Sequence, residues 1–494
     1  MAMQHSSQAH NVWQENPIAK RGKKVMALSA INRPDTGRKE LLEKYKDKLA
    51  VNQNLNRAMV SFQSSKSASF YHWLKYKEAF SPAFVDYALS LFYPGQQQLT
   101  LLDPFCGTGT ALTTASRHGW DSIGVELLPV GIAALRARIT ASQADPQALE
   151  YWLNQLEDYA ATNGQRVSCY RFPHFELTEG AFPESTENDI GLYVDFLHTI
   201  DDESVRYLFW FACLTILEDV SYTRKDGQYL RWDCRAPRRV NSRFTKGDLP
   251  PFWPLILKKL TTMYQEIQNY DSVDLSEYIR IIEGSCLKKL RELPENHIDL
   301  VVTSPPYCNR YDYTRTYALE LAFMGYTSSD IKTFRQELLS ATVENRSKFD
   351  KLREYYESIG AGSFFNRCCN IFDNQEALHE VLGILNQARE RKELNNGNIP
   401  RMVEYYFFEM NLVVSELARV LAPGGRVVMV NDNVRYHGEE VPVDLILSDF
   451  AEKAGLEVDV IWVLPRGKGN SSQQMGKYGR QELRKCVYVW RKPH

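Results

Sequence analysis

The segment LTLLDPFCGTGT, residues 99–110, determines the predicted fold class of this chain. Its first four residues predict a buried strand, and residues 111–118 after the glycines predict a helix. A strand, a glycine loop and a helix in this order form a half-site where a ligand can approach the backbone closely. A second predicted strand, Ile123–Glu126, ends in an acid placed to accept hydrogen bonds from ribose hydroxyls. The full dinucleotide fingerprint is absent, because Leu112 occupies its third glycine position.

A second segment, TSPPY at Thr303–Tyr307, directly follows the apolar run Ile298–Val302. That run predicts a buried strand, and ligands of open α/β sheets bind at the carboxyl ends of strands. Two consecutive prolines remove two N–H donors and leave a rigid turn dominated by carbonyl acceptors. Together with the Ser304 hydroxyl and the Tyr307 ring, this turn suits a flat substrate with an exocyclic amine. Many ordinary turns and proline-rich ligands share the same pattern, so the segment alone leaves these alternatives open.

Together, the two segments resemble the S-adenosylmethionine-dependent DNA methyltransferases that modify exocyclic amines, N4 of cytosine or N6 of adenine. The resemblance covers most of residues 60–135 and 280–330 and, more loosely, residues 400–492. It implies a class I methyltransferase fold, which is α/β with a doubly wound, mostly parallel, seven-stranded sheet and large inserts. It also implies S-adenosylmethionine as the cofactor and duplex DNA, with its target base flipped out, as the partner. A cognate restriction endonuclease is a further possible partner.

The resemblance also implies the residues that hold the cofactor. The glycine loop and Glu126 match the family's cofactor loop and ribose-binding acid, and residues 73–82 resemble its segment over the methionine end. Ser285 stands where the family often has an acid against adenine, and its hydroxyl can hydrogen-bond but carries no charge. The predicted cofactor-binding residues are Tyr76, Lys77, Phe80, Ser81, Asp103, Pro104, Phe105, Gly107, Thr108, Gly109, Glu126 and Ser285.

The predicted catalytic residues are Ser304, Pro305, Pro306 and Tyr307. A base amine is a poor nucleophile because its lone pair is delocalised into the ring. Hydrogen bonds from both amine protons to Ser304 and the Pro305 carbonyl would localise that lone pair in line with the methyl donor. Tyr307 would stack on the flipped base. The route needs no thiolate, so Cys308 is interpreted as a packing residue.

The serine form of the motif is more typical of cytosine-N4 enzymes, whereas an aspartate or asparagine favours adenine. The sequence therefore favours N4 of cytosine as the target. An N6-adenine enzyme, an RNA amino-methyltransferase and a DNA-binding module without catalysis remain alternatives.

A basic and aromatic stretch at residues 222–247 predicts the DNA-recognition region. Basic and aromatic side chains together suit phosphate contact and base stacking, although a charge run is more commonly a solvated face. A flexible, basic, amide-rich loop at residues 466–477 is a second candidate, although a plain hairpin is an alternative. The predicted DNA-binding residues are Arg224, Lys225, Arg231, Arg235, Arg238, Arg239, Arg243, Lys246 and Lys468.

The order of the segments predicts one methyltransferase domain with two inserts. Further strands are expected at residues 426–430, 458–463 and 486–490, the last two as an antiparallel pair. The predicted parts are a polar amino-terminal arm at 1–58, a cofactor-binding half at 59–140, an inserted recognition region at 141–278, a catalytic half at 279–331, a helical insert at 332–399 and the rest of the sheet at 400–494.

The composition fits a globular intracellular protein. The 494 residues are 44% hydrophobic and 24% charged, with a formal net charge of −2, so any nucleic-acid surface must be local. The nine cysteines show neither a Cys-x-x-Cys pair nor zinc-ligand spacing, which predicts reduced thiols and no metal site. No apolar run is long enough to span a membrane, and the predicted location is the cytoplasm.

Overall fold

The computed structural model contains both helices and strands and describes residues 36–63, 68–76, 80–96, 98–162, 166–226, 229–238, 243–270, 273–465, 468–469 and 482–494. The strands are β1 (Leu49–Val51), β2 (Thr100–Asp103), β3 (Asp121–Glu126), β4 (Thr223–Asp226), β5 (Tyr229–Trp232), β6 (Ile279–Glu283), β7 (Ile298–Thr303), β8 (Leu421–Asp432), β9 (Val434–Tyr436), β10 (Glu439–Val441), β11 (Glu457–Val463), β12 (Lys468–Gly469), β13 (Glu482–Leu483) and β14 (Lys485–Arg491).

The helices are α1 (Thr36–Tyr45), α2 (Pro82–Phe92), α3 (Thr110–Arg117), α4 (Pro129–Gln143), α5 (Pro146–Thr162), α6 (Glu184–Leu197), α7 (Glu203–Val220), α8 (Phe252–Gln268), α9 (Cys286–Lys289), α10 (Tyr313–Thr316), α11 (Ala318–Phe323), α12 (Ser328–Glu337), α13 (Phe349–Ser358), α14 (Gly362–Asp373), α15 (Glu376–Glu390), α16 (Ile399–Val420) and α17 (Val443–Lys453). Short 3-10 turns lie at Lys46–Lys48, Leu275–Glu277 and Leu290–Glu292. Within the described residues, no helix combines the length and apolar character that crossing a membrane requires.

The main sheet has eight strands within the described residues, in the order β1-β11-β14-β8-β7-β2-β3-β6. It is mostly parallel, because only β14 runs antiparallel to its neighbours β11 and β8. The α/β class, the mostly parallel sheet and the antiparallel pair at 458–463 and 486–490 are therefore confirmed. The predicted strand number is wrong, because β1 adds an eighth strand through pairing of Leu49 with Ile461.

The extra strand lies in a segment that the sequence assigned to a polar arm over residues 1–58. Helix α1 packs on the domain instead, with Leu41 and Tyr45 buried, and Arg38 pairs with Glu380 at 2.6 Å. Only three residues of α1 are buried, so little in its sequence indicates that this helix packs on the domain. The assignment of residues 36–51 to an arm is therefore corrected.

Both faces of the sheet are covered by helices. Along β7, Val301 packs into one core with α16 and α17, whereas Leu300 and Val302 pack into another with α2 and α3. This alternation follows from the two-residue period of a strand. Because both faces are filled by side chains, the carboxyl ends of the parallel strands are left as the place for a ligand.

Residues 141–278 form helices α5 to α8 and the hairpin β4–β5, around an apolar core that they share with α4 and α11. That core also contains Trp73 and Tyr76 from the segment before α2, and Tyr317 from the segment after the TSPPY motif. Residues 332–399 are largely helical, and their helices α13 to α15 pack against the core under α16. The first insert therefore packs directly against two segments at the carboxyl edge of the sheet: the one before α2 and the one after the TSPPY motif.

Candidate active site

A cavity of about 750 Å³, counted out to its open mouth, lies at the carboxyl ends of β2, β3, β6 and β7. The cavity brings the two informative segments of the sequence together. Its lining consists of Tyr76, Phe80, Asp103, Pro104, Phe105, Cys106, Gly107, Thr108, Thr110, Val125, Glu126, Leu127, Leu128, Gly284, Ser285, Cys286, Ser304, Pro306, Tyr313, Glu337, Leu338 and Leu339.

The glycines of the loop after β2 are required by geometry. Gly107 has a φ of +52°, and a Cβ there would stand 3.2 Å from the Tyr76 ring. Gly109 has a φ of +76°, and a Cβ there would stand 2.4 Å from Leu135 Cδ1. Gly107 therefore keeps the cavity wall open, whereas Gly109 does not line the cavity and permits α3 to pack on α4.

The Glu126 carboxylate is held by three backbone N–H groups. Gly107 donates to its Oε2 at 2.7 Å, and Leu127 and Leu128 donate to its Oε1 at 2.9 and 2.7 Å. Burial raises the pKa of Glu126, and these three hydrogen bonds oppose that rise. The carboxylate thus ties the end of β3 to the glycine loop, and its remaining lone pairs are available to hydroxyl donors.

A hydrogen bond links the two motifs across 200 residues of chain. The Thr303 hydroxyl donates to Asp103 Oδ1 at 2.6 Å, and the Phe105 N–H donates to the same oxygen at 3.1 Å. Burial raises the pKa of the Asp103 carboxyl to about 7, although both hydrogen bonds act to lower it. Thr303 was not among the predicted site residues, because nothing local shows that its hydroxyl meets a second loop.

Within the TSPPY motif, Ser304 and Pro306 line the cavity, whereas Pro305 and Tyr307 lie outside the lining. Ser304 Oγ donates to Tyr307 Oη across 3.4 Å. Burial raises the pKa of the Tyr307 phenol, and the neighbouring Lys485 opposes the rise. Cys308 is fully buried, and burial raises the pKa of its thiol, as suits a packing residue.

The segment before α2 covers one side of the cavity. Tyr76 and Phe80 both line it, and the Tyr76 ring is stacked on Tyr317 with centroids 5.0 Å apart. Ser81 does not take part, because it is fully buried and both its N–H and its hydroxyl donate to the Met59 carbonyl, at 2.8 and 2.9 Å. The prediction for Ser81 is thus corrected, and Lys77 lies outside the described residues.

The inserted helices hold this covering segment in place. Glu266 on α8 accepts hydrogen bonds from the Phe70 N–H at 2.7 Å and from Trp73 Nε1 at 2.8 Å. Lys259 on the same helix donates to the Trp73 carbonyl at 2.5 Å. The position of Tyr76 over the cavity therefore depends on the first insert as well as on the methyltransferase sheet.

Several cavity residues had no recognisable signal in the sequence. Glu337–Leu339 reach the lining from the second insert, and Ser285 donates its hydroxyl proton to the Glu337 carbonyl at 2.9 Å. Tyr313 lies after the TSPPY motif, and none of the family motifs includes it. Buried Arg138 on α4 donates to the Thr108 carbonyl at 2.5 Å and holds the glycine loop from behind. These contacts depend on which segments meet in space.

Some basic side chains of residues 222–247 are buried, and others are exposed. Lys225 is only 3% exposed and is ion-paired with Glu320, with Glu218 Oε2 at 3.9 Å. Its Nζ lies 4.6 Å from the centroid of Tyr317. Lys225 therefore belongs to the interior, and its assignment to DNA binding is corrected: the strand alternation of β4 turns it inward, while Arg224 is exposed.

Two other predicted DNA-binding residues are held by internal partners. Lys246 Nζ donates to the carbonyls at the end of α7, including that of Ser221 at 3.0 Å, and burial lowers its pKa to about 8. Arg235 forms a two-point ion pair with buried Asp233, at 2.9 and 2.8 Å, which holds the pKa of that carboxyl well below its usual range. The prediction that Lys246 contacts phosphate is therefore corrected, because its ammonium group caps the end of α7. Arg235 is less available to phosphate than predicted, because Asp233 already binds its guanidinium group.

Two other predicted arginines lie beside aromatic rings. The Arg231 guanidinium is 4.5 Å from the Phe244 centroid, and that of Arg238 is 4.4 Å from the Trp232 ring. Arg224 and Arg243 are exposed. Arg239 lies outside the described residues, and for Lys468 only the backbone is described, in strand β12.

Comparison with known proteins identifies the family. No protein-family model matches the chain. Two curated relatives are similar over almost their whole length: the type II methyltransferase M.AvaI of Nostoc sp., 43% identical over 92% of this chain and 93% of the relative, and M.BsoBI of Geobacillus stearothermophilus, 38% identical over 93% of each. The chain belongs to the type II methyltransferases. A third type II methyltransferase, M.MvaI of Kocuria varians, is 20% identical over 82% of this chain.

Membership of the type II methyltransferases confirms the coarser part of the sequence-based interpretation, an enzyme that methylates DNA at specific sites. The names of the relatives do not state which base is modified. The preference for the N4 amine of cytosine therefore stays a prediction, as do the roles of the site residues that the structure does not contradict.

Proposed function

We propose that this type II methyltransferase transfers a methyl group from S-adenosylmethionine to the exocyclic N4 amine of cytosine within a specific DNA sequence. The observation that carries the proposal is the shared cavity, which Ser304 lines together with the glycine loop and Glu126. A methyl donor held by the loop and an amine held by Ser304 would therefore occupy one space. The 2.6 Å hydrogen bond between Thr303 and Asp103 keeps the two loops in this relation.

The cavity residues fit the proposed cofactor. Gly107 leaves room at the wall that a side chain would fill, and Glu126 retains acceptor capacity for ribose hydroxyls. Asp103 and Ser285 supply further polar groups to the lining. S-adenosylmethionine, when bound there, supplies an electrophilic methyl group and accepts the electron pair of the breaking carbon–sulfur bond.

The protein's own contribution is to prepare the amine. Ser304 Oγ and the Pro305 carbonyl accept hydrogen bonds from the two N4 protons, which localises the nitrogen lone pair toward the methyl carbon. As the new carbon–nitrogen bond forms, N4 becomes positively charged and releases one of these protons to water. No covalent bond between enzyme and base is needed, in keeping with the buried thiol of Cys308.

The first insert is proposed as the DNA-recognition region. The exposed side chains of Arg224, Arg231 and Arg243, and the partly buried side chain of Arg238, lie beside Phe244 and Trp232 on one hairpin and the loop that follows it. Guanidinium groups bind phosphates at two points, and rings offer stacking surfaces to unpaired bases. A cognate restriction endonuclease that cuts the same sequence is the proposed cellular counterpart.

Mass spectrometry of nucleosides tests the proposal. Plasmid DNA from a methylation-deficient host would be treated with the purified enzyme and isotope-labelled S-adenosylmethionine, then digested to nucleosides. Labelled N4-methylcytosine is the expected product. Labelled N6-methyladenine alone would overturn the choice of base, and label in structured RNA but not in duplex DNA would overturn the DNA assignment.

A further inference from the structure

An ion pair across two strands lies beside the catalytic motif. Lys485 opens β14 and is directly opposite Asp432, the last residue of β8, with Nζ and Oδ1 3.5 Å apart. The Lys485 and Asp432 side chains are only 14% and 23% exposed. Because β8 neighbours β7, whose carboxyl end leads into Ser304, the pair lies at the same edge of the sheet as the catalytic motif.

The ammonium group also faces the motif's aromatic residue. Lys485 Nζ lies 5.8 Å from the centroid of the Tyr307 ring. Burial lowers the pKa of Lys485, but Tyr307 and Asp432 more than offset this, so the pKa lies above its usual value and the group stays charged. Asp432 Oδ1 accepts no hydrogen bond within the described residues, so the 3.5 Å contact is an ion pair without a hydrogen bond.

We propose that Lys485, anchored by Asp432, is a positioning residue that orients the Tyr307 hydroxyl and thereby keeps the lone pairs of Ser304 Oγ free for the substrate amine. The inference rests on the proposed function, because it assigns Ser304 the role of acceptor. It extends the catalytic site to two residues that lie about 120 and 180 positions beyond the TSPPY motif.

Lys485 can act on Ser304 because it determines the direction in which the hydroxyl protons of Tyr307 and Ser304 point. A cation beside a phenol attracts the phenol oxygen and repels its proton, so Tyr307 Oη presents lone pairs to its neighbours. Ser304 Oγ then donates its proton to Tyr307 Oη across 3.4 Å, and both Ser304 lone pairs can accept from the amine. Without the cation, Tyr307 can donate to Ser304 instead and occupy one of those lone pairs.

A purely structural role is the competing explanation, in which the pair only joins β8 to β14. The two strands are already held by seven successive residue pairs, from Lys485 with Asp432 to Arg491 with Arg426. The same strand also offers a matched control. Arg491, at its other end, forms an ion pair with Asp459 at 3.3 Å, on the sheet edge opposite the catalytic motif.

The experiment compares four variants of the full chain: Lys485→Met, Lys485→Arg, Asp432→Asn and the control Arg491→Met. Single-turnover methyl transfer to DNA would be measured at saturating cofactor and DNA, with the Kd of each ligand and the thermal midpoint measured separately. Lys485→Met is expected to slow transfer about 10- to 100-fold with both Kd values within about two-fold of wild type. Lys485→Arg is expected to restore most of the rate, Asp432→Asn to lower it less, and Arg491→Met to leave it unchanged.

The outcomes separate this inference from the proposed function. If the wild-type enzyme transfers methyl groups but Lys485→Met does so at the same rate, the positioning role is wrong and the proposed function stands. A loss of rate that tracks a lowered thermal midpoint, and that Lys485→Arg does not restore, would also overturn it in favour of the structural role. Wild-type enzyme that transfers nothing to DNA would overturn the proposed function itself.

Discussion

The ring of Tyr76 is stacked on the ring of Tyr317, with centroids 5.0 Å apart and planes inclined by 14°. Tyr76 lines the cavity, and the buried ammonium of Lys225 also lies beside Tyr317, 4.6 Å from the ring centroid. The first insert thus supports the covering segment of the cavity through a cation, a ring and a second ring.

Replacing Tyr317 with leucine should weaken cofactor binding. An aromatic pair contributes about 0.5–1.5 kcal/mol beyond its buried area, so we expect the Kd to rise about five-fold. Tyr317→Phe keeps the ring, and hence both contacts, and should bind like wild type. Isothermal titration calorimetry with S-adenosylmethionine measures both; equal affinity of the leucine and phenylalanine variants would show that the stack does not support the site.

Replacing Gly109 with alanine should destabilise the glycine loop. Gly109 and Gly119 have nearly the same φ, +76° and +75°, but a Cβ at Gly109 would meet Leu135 at 2.4 Å, whereas one at Gly119 meets nothing within 4 Å. Gly119→Ala should cost only the left-handed backbone penalty of about 1–2 kcal/mol. Gly109→Ala should lower the thermal midpoint further and weaken cofactor binding. Equal midpoints for the two variants would argue that Leu135 moves aside without cost.

The Asp103 carboxyl should make stability depend on pH. Its folded-state pKa of about 7 lies above the usual value of 3.8, so the folded state binds the proton more tightly than the unfolded state. This contribution is fully present below about pH 4 and is lost as the pH rises through 7. The free energy of unfolding of the wild-type enzyme should therefore fall between pH 4 and 8 by more than that of Asp103→Asn, which has no carboxyl group to titrate at this position. Urea unfolding of both proteins at several pH values measures it; parallel profiles would contradict the raised pKa.

Replacing Ser304 with alanine should strongly slow transfer and spare cofactor binding. Loss of one preorganised hydrogen-bonding group at a reacting centre costs about 100- to 1,000-fold in rate. Cys308→Ala is the control, because the proposed route needs no thiolate, and it should retain most of its activity. Rates come from labelled methyl transfer to DNA, and affinities from calorimetry. A Ser304→Ala enzyme with weakened cofactor binding would show that Ser304 has been given the wrong role.

Neutralising two exposed arginines should weaken DNA binding in a salt-dependent way. For the double variant Arg224→Gln and Arg243→Gln, the slope of log K against log salt should become shallower by about 2, as each lost phosphate contact contributes about 0.9. Arg491→Gln, at the opposite edge of the sheet, should leave the slope unchanged. The measurement is a fluorescence-anisotropy titration of duplex DNA over a range of salt. An unaltered slope in the double variant would count against recognition by the first insert.

The sequence alone was sufficient for the α/β class and for the loops that meet in the cavity. The strand before Asp103, the glycines after it, the acid Glu126 and the TSPPY motif are local patterns, and the carboxyl ends of neighbouring parallel strands necessarily lie at one edge. Their meeting at one edge of the sheet was therefore predictable before any distance was known.

The tertiary structure decided which side chains take part. Charge alone made Lys225 and Arg224 equivalent, but the alternation of β4 buries one beside Glu320 and exposes the other. The hydrogen bond from Thr303 to Asp103, and the pairing of Lys485 with Asp432, join residues far apart in the chain. Local patterns report the conformation of a segment, whereas burial and partnership depend on the segments packed against it, and these are determined only when the whole chain has folded.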